Sequence, residues 1–381
     1  MDTVGLALRG QSHGTVARLR RMTTPSRLRS TLLAASRFIH ENLLWFLIGA
    51  YAAAVIYPDA GVWVRDSSLG GLRSNHARGH LSLLTIMLGS LMFNAGLGVK
   101  TSHLATLAKK KLMVVAGLAA NWLVPTVFIF LVALVMRFWH EPDEAQHILV
   151  GSAHVVAMPI AGASTAWAQN SNGNVALSLG LVLFSTLLSP LVTPLVFHVF
   201  GAMADREYER VLDHLASYGS GIFLVAWVVL PSLIGLAVRF FVPEAWLSEI
   251  MPSIKLINSV VLLLLNYSNA AVSLLKAIAD HDLDFLAVTF GITVGLCLVS
   301  FAAGDWLSRL FKAGDAERVS LMYGLGMSNN GTGLVLASLA LASYPRIMVP
   351  IIFYNLIQHF VAGTVQHTAT RASAGRTSRH G

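Results

Sequence analysis

Charge is what this sequence has least of. Asp, Glu, Lys and Arg make up 12% of its 381 residues, against about 25% in a soluble domain. A chain of this size cannot cover a water-facing surface with so little charge, so an ordinary soluble enzyme is excluded. Cysteine is nearly absent. Cys297 stands alone, which removes an intrachain disulfide and any cysteine-held metal cluster. No acid lies deep within an apolar run. There is no His-Glu-x-x-His, no pair of intramembrane aspartates and no Gly-x-Ser-x-Gly elbow, and intramembrane enzymes rely on such sets. The expectation is therefore not an enzyme. The formal net charge of +8 does not indicate nucleic acid, because the basic ends flank apolar runs and carry no interleaved aromatics.

What is present is hydrophobic length. Hydrophobic residues are 55% of the chain and fall in blocks long enough to cross a bilayer as helices. The blocks lie at about 39–57, 80–99, 112–137, 146–170, 174–200, 219–241, 253–275, 284–308, 318–343 and 345–366. With the N-terminus in the cytoplasm and ten spans, Lys and Arg divide 19 to 8 in favour of the cytoplasmic face, as membrane insertion favours. The reading is a multi-pass protein of a bacterial inner membrane with both termini cytoplasmic. Residues 1–37 form an arm with Arg9, Arg18, Arg20, Arg21, Arg27, Arg29 and Arg37 and one acid, Asp2. This is a disordered cytoplasmic arm or an organelle transit peptide, not a secretory signal, since it has no long apolar run. Residues 368–381 form a second basic tail.

Two spans are weak by hydropathy, the fourth and the ninth. The fourth carries Pro159, Gly162, Ser164 and Thr165. The ninth carries Gly324, Gly326, Ser328, Asn329, Asn330, Gly331, Thr332 and Gly333. They are the fourth members of two five-helix halves, 38–200 and 218–367, joined by a polar connector at 201–217. Five is odd, so the halves would enter the membrane in opposite senses. Inverted repeats with one broken helix each build transporter sites near the bilayer midplane. Irregular backbone at that depth is tolerated only inside protein or beside water. Pro159 removes a backbone donor and breaks its helix. The freed carbonyls can hold a cation, and the new helix N-termini can hold an anion. Residues 170–174 read as a tight polar turn, with Gly173 suited to a left-handed backbone there. For Gly96 and Gly117, close helix packing is the better reading.

The run Gly173-Asn-Val-Ala-Leu-Ser178 followed by Ser185-Thr-Leu-Leu-Ser-Pro-Leu-Val-Thr-Pro194 resembles the fifth helix of the bile acid:sodium symporter family. Met92-Phe-Asn-Ala-Gly-Leu-Gly98 is similar to its second helix, and Gly326-Met-Ser-Asn329 to its broken ninth-helix motif. The resemblance runs from about residue 39 to 367 and implies an all-α membrane fold. That fold has ten helices in two inverted repeats, panel and core domains, and crossing helices four and nine. It implies transport of a small organic anion with sodium as coupling ion and no other cofactor. The lipid bilayer is the other implied partner, and no oligomeric state follows.

Carried over position by position, the family's sodium sites fall on Ser164, Thr165, Ser178, Asn121, Gly324, Met327 and Ser328. Ser164 and Ser178 match the family's serines. Thr165 replaces an asparagine, Val182 a threonine and Ser328 a glutamine. Gly324 stands where the glutamate shared by both sites belongs. A desolvated cation without a nearby negative charge is costly, so sodium coupling is expected to be weakened, altered or absent. Thr165, Asn329, Asn330, Thr332 and His359 are the candidate substrate contacts. His359 and Gln358 in span ten, and Asn258, Asn266 and Asn269 in span seven, either line the cavity or bond between helices. A metalloid carrier would want a thiolate in span four, which has none, and a sodium/proton antiporter a carboxylate at the crossing. A non-transporting sensor is the remaining alternative.

Overall fold

The computed structural model describes residues 42–71, 80–99, 110–279, 282–341 and 343–377, with isolated positions among 31–39 and at 107. Most of the basic arm, Arg73, Arg78, Lys100, Lys109 and residues 378–381 lie outside the described residues.

The described chain is helical apart from one short antiparallel pair. In order it runs α1 (Leu43–Ile56), α2 (Pro58–Asp66), β1 (Ser68–Gly71), β2 (His80–Ser82), α3 (Leu83–Leu97), α4 (Lys111–Met136), α5 (Pro142–Ala157) and α6 (Ala163–Asn170). It continues with α7 (Val175–Gly201), α8 (Arg206–His214), α9 (Ser220–Phe241), α10 (Glu244–Ala279), α11 (Leu283–Leu310), α12 (Asp315–Gly326), α13 (Asn330–Ala340) and α14 (Met348–Thr377). Local chemistry sets many of the starts. Ser82, Asn174, Asp282 and Asn329 each accept a hydrogen bond from a backbone N–H of the first turn that follows, the role of a good N-cap. Pro58 and Pro142 open α2 and α5, where a missing N–H costs nothing.

Among the described residues six helices are long and apolar enough to cross a membrane, and α1 with α2 makes a seventh only as a pair bent by 96°. The bend falls at Pro58, and α2 was not legible in the hydropathy. Helix α3 has 15 residues, about 22 Å of rise, short of a hydrocarbon core of about 30 Å. Helix α9 contains a π turn, Val225–Val229, and another, Leu215–Gly219, precedes it. The connector expected at 201–217 holds α8. The outer faces are apolar: Leu112, Val115, Leu123, Leu131, Leu191, Leu195 and Ile222 are all exposed. A water-soluble protein does not show apolar surface on this scale. The chain is a multi-pass α-helical membrane protein.

Two compact units divide the chain. One holds residues up to Leu43 with Val242–Val260, and the other holds Leu44–Phe241 with Val261–Gly381. In the first, the described part is chiefly the opening turns of α10, where Ser259 Oγ donates to the Lys255 carbonyl at 3.0 Å. The second contains the core. Small residues bring its helices into backbone contact. A Cβ on Gly96 of α3 would overlap the Ser232 carbonyl of α9, and one on Gly235 would overlap the Phe93 carbonyl. The packing role expected for Gly96 is what its surroundings show.

Ion pairs sit at helix ends. At one end Glu317 pairs with Lys110 and accepts from Asn174 Nδ2 at 3.1 Å. Burial alone would raise the Glu317 carboxyl, but Lys110 and Asn174 outweigh it and hold it below the usual range. Asp305 pairs with Arg309 at 2.8 Å and also with Arg318. At the opposite ends of their helices, Glu144 accepts from Trp139 Nε1 at 2.8 Å and Arg346 lies 2.9 Å from Asp282. Burial first, then Asp282 and Asp284, push the Glu144 carboxyl up.

Candidate functional site at the paired helix breaks

Both weak spans are broken. Helix α5 ends at Ala157 and α6 begins at Ala163; α12 ends at Gly326 and α13 begins at Asn330. The two interruptions pair with each other. Ile160 and Ser328 form an antiparallel bridge, with Ala161 N donating to Met327 O at 2.8 Å and Asn329 N to Pro159 O at 2.8 Å. Each break thus satisfies part of the other's exposed backbone, which is the condition for irregular chain away from water. Pro159 needs no acceptor for the donor it lacks. Ile160 N donates to Ser185 Oγ at 3.1 Å, and Thr193 Oγ1 donates to Ala157 O at 2.6 Å. Helix α7 therefore holds the first break in place through two hydroxyls.

The candidate residues gather around this pairing. Ser178 Oγ donates to Thr165 Oγ1 at 3.2 Å. Ser164 is fully buried, and its Oγ has no partner among the described residues. Asn329 caps α13: its Oδ1 accepts from Thr332 N at 3.3 Å, and its Nδ2 approaches Met92 Sδ at 3.7 Å. Asn330 and Thr332 are buried. Neither amide atom of Asn330 and not Thr332 Oγ1 has a partner among the described residues. Met327 contributes its carbonyl to the bridge, and Ser328 its N–H to Gln358 Oε1 at 3.0 Å. His359 is buried on α14 with its ring 6.3 Å from that of Trp167. Asn121 is buried one turn beyond Gly117 on α4, and no bond joins it to the crossing among the described residues.

The turn at 170–174 differs from expectation. Asn172, not Gly173, takes the left-handed backbone, with φ 56°. Gly173 is required for space: a Cβ there would lie 2.9 Å from the Ala168 carbonyl and from Ser320 Oγ.

A second polar feature was only partly legible. Tyr51 of α1 donates to Asn266 Oδ1 at 2.9 Å. Asn355 Nδ2 donates to Asn266 Oδ1 at 2.7 Å and to Tyr51 Oη at 3.0 Å. Gln358 Nε2 donates to Asn355 Oδ1 at 3.1 Å, and Gln358 holds Ser328 N. All five residues lie in the larger unit. A buried chain of amides thus runs from α1 and α10 through α14 to the second break. Asn266 and Gln358 were candidates from sequence; Tyr51 and Asn355 were not, though Tyr51 is a lone polar group in an apolar run and Asn355 lies one turn before Gln358. Asn269, placed on the same face by spacing, bonds instead to the Leu265 carbonyl of its own helix at 2.8 Å. His154, one turn before the first break, was also missed. It is buried with Nδ1 on the Val150 carbonyl and its ring 4.6 Å from Phe197.

Among the described residues the arrangement has no nucleophile–base pair. It presents neutral donors and two helix N-termini at a paired break within a membrane protein, a construction that carriers use. The model of the sodium bile acid symporter family matches residues 85–279, and the chain belongs to that family. The uncharacterized sodium-dependent transporter YocS of Bacillus subtilis is 26% identical over 292 residues, 75% of this chain and 82% of that one. Sodium/bile acid cotransporter 7-A of Xenopus laevis is 24% identical over 328 residues, 82% of this chain and 88% of that one. The probable sodium/metabolite cotransporter BASS2, chloroplastic, of Oryza sativa is 24% identical over 270 residues, covering 70% and 59%. This protein is a membrane transporter.

The sodium positions can be tested against the side chains present. The hydroxyls of Thr165 and Ser178 meet, and Ser164 precedes Thr165 in sequence, but none of the three carries charge. The sequence holds no acid from 145 to 204 or from 318 to 381, so α6, α7, α13 and α14 cannot supply a carboxylate. This donor set does not fit a carboxylate-centred sodium pair.

Proposed function

We propose that the protein is a secondary carrier moving a small organic anion across a bacterial inner membrane by alternating access. The proposal takes ten spans in two inverted halves, residues 38–200 and 218–367, with both termini cytoplasmic. Helices α5 with α6, and α12 with α13, are then the crossing fourth and ninth spans of a core domain. The panel domain rocks against that core.

One observation carries the reading: the buried amide of Asn330, without a partner among the described residues, with Thr332 Oγ1 two positions on, in the first turn of α13. A buried polar group without a partner costs about 1–3 kcal/mol, and a bound ligand or water is one way such a cost is met. The N-terminus of α13 adds backbone donors and a positive dipole end. Together these suit a carboxylate or sulfate and need no fixed positive charge. Ser164 and Thr165 in the first turn of α6, and His359 beside Trp167, complete the substrate contacts. The relatives' names speak of bile acids and metabolites, a class that includes carboxylates.

A thermal-shift screen of carboxylates and sulfonates on the purified protein tests the site. Stabilising anions would then be followed into proteoliposomes. Saturable stabilisation and uptake are expected. Saturable stabilisation without flux would replace the carrier by a sensor, and no stabilising anion in the class would remove the site.

A further inference from the structure

The family resemblance places a shared sodium-site carboxylate at Gly324, and the structure shows what occupies that space. A Cβ on Gly324 of α12 would lie 2.9 Å from Leu181 Cδ1, and one on Gly117 of α4 would lie 2.8 Å from Leu181 Cδ2. The two methyls of one leucine on α7 fill the notches left by two glycines on two other helices. Leu181 is fully buried. It belongs to a cluster with Leu107, Val114, Leu118, Ile160, Leu321 and Leu325. Ile160 is itself the residue that bridges to Ser328. The aliphatic cluster thus reaches the crossing and covers the side of it where a charged side chain at 324 would project.

Two terms work against a cation here. The hydroxyls of Ser164, Thr165 and Ser178 are neutral, and removing an ion from water costs several kcal/mol unless an opposite charge compensates. The volume beside Gly324 is taken by the methyls of Leu181, and at native packing density another group enters there only if that side chain turns away. Ser178 Oγ is moreover turned to Thr165 Oγ1, so two of the three oxygens bond to each other.

We infer that Leu181 plugs the sodium site, so that this carrier binds no sodium at the crossing and draws no driving force from it. Leu181 and Gly324 are then the pair that sets ion use: a leucine opposite glycine excludes the ion that a small residue opposite glutamate would admit. The inference rests on the family placement of position 324. It does not need the anion proposed above, because ion binding is read without one.

The test compares thermal stability of the purified wild type in NaCl, KCl and choline chloride at equal ionic strength, with equilibrium binding of radioactive sodium beside it. The wild type is expected to show no sodium-specific shift and no saturable sodium uptake. The Leu181→Ala/Gly324→Glu double variant is expected to gain both, with Leu181→Ala alone gaining neither. A saturable sodium-specific shift in the wild type overturns the inference even if the double variant does not fold. A folded double variant that remains blind to sodium overturns the assignment of the plug to Leu181. An anion screen that fails while the wild type remains blind to sodium overturns the proposed substrate site and leaves this inference standing.

Discussion

Asn355 sits where the buried amide chain branches, and its removal has a calculable cost. Asn355→Ala deletes three hydrogen bonds, to Tyr51 Oη, to Asn266 Oδ1 and from Gln358 Nε2. Hydrogen bonds between membrane helices average about 0.6 kcal/mol, with a maximum near 1.7. Three of them give roughly 2–5 kcal/mol if additive. Neighbours in one network couple, so the sum is an upper guide. Asn269→Ala is the control. That side chain is equally buried, but its hydrogen bond returns to Leu265 of its own helix, so its loss is expected to cost less than about 1 kcal/mol. Reversible unfolding in mixed micelles would measure both. Asn355→Ala is expected to exceed Asn269→Ala by at least about 1 kcal/mol. A cycle of Asn355→Ala with Gln358→Ala should show coupling above about 0.5 kcal/mol. Equal costs for the two asparagines, or no coupling, would refute the chain as a mechanical link between α1, α10 and the second break.

Other consequences are simpler to check. Gly96→Ala or Gly235→Ala drives a methyl into the opposing backbone of α9 or α3 and is expected to cost about 1–3 kcal/mol, read as a lowered midpoint in micelle unfolding. Gly49→Ala, which meets nothing nearby, should be neutral. Glu317 is held below its ordinary value of 4.5, so its contribution to stability is full above that value and is lost as the pH falls through its lowered one. Glu317→Gln should therefore lower the melting temperature at neutral pH and lose its difference from wild type in acid. A difference that is unchanged across that range would count against the Lys110 and Asn174 contacts. Thr193→Val removes the hydroxyl that holds the Ala157 carbonyl and is expected to cost about 1–3 kcal/mol and to weaken anion stabilisation as well. A variant as stable as wild type would show that α7 does not fix the first break.

Much of the fold was legible because hydropathy in a membrane chain reports directly on helices. The breaks at 158–162 and 327–329 were legible because proline, glycine and amides in a row cannot be continuous helix in lipid. The 96° turn at Pro58 was not, since the apolar run ends there and the more polar segment that follows, with Asp59, Arg65 and Asp66, reads as a loop. The left-handed residue fell on Asn172 because close packing against Ala168 and Ser320 had already claimed Gly173. At the site, residue types announced Asn330 and Thr332, but only the fold separates them from Asn329, whose amide oxygen caps α13. The role of Leu181 had no sequence signal. A leucine in an apolar helix is unmarked until two glycines from distant segments are seen against it. Tyr51 was hidden for the same reason, being a single polar group whose partners Asn266 and Asn355 lie hundreds of positions away in sequence; Asn355 meets the same distant Tyr51.

The most direct test of the central claim, an anion site at the paired breaks, is a thermal-shift comparison of wild type and Asn330→Ala with and without a stabilising anion. Removing a buried amide that has no partner should leave the ligand-free protein as stable or more stable, by up to about 1–3 kcal/mol, while abolishing the anion-induced shift. A variant that loses stability without ligand and keeps the full anion shift would contradict the account.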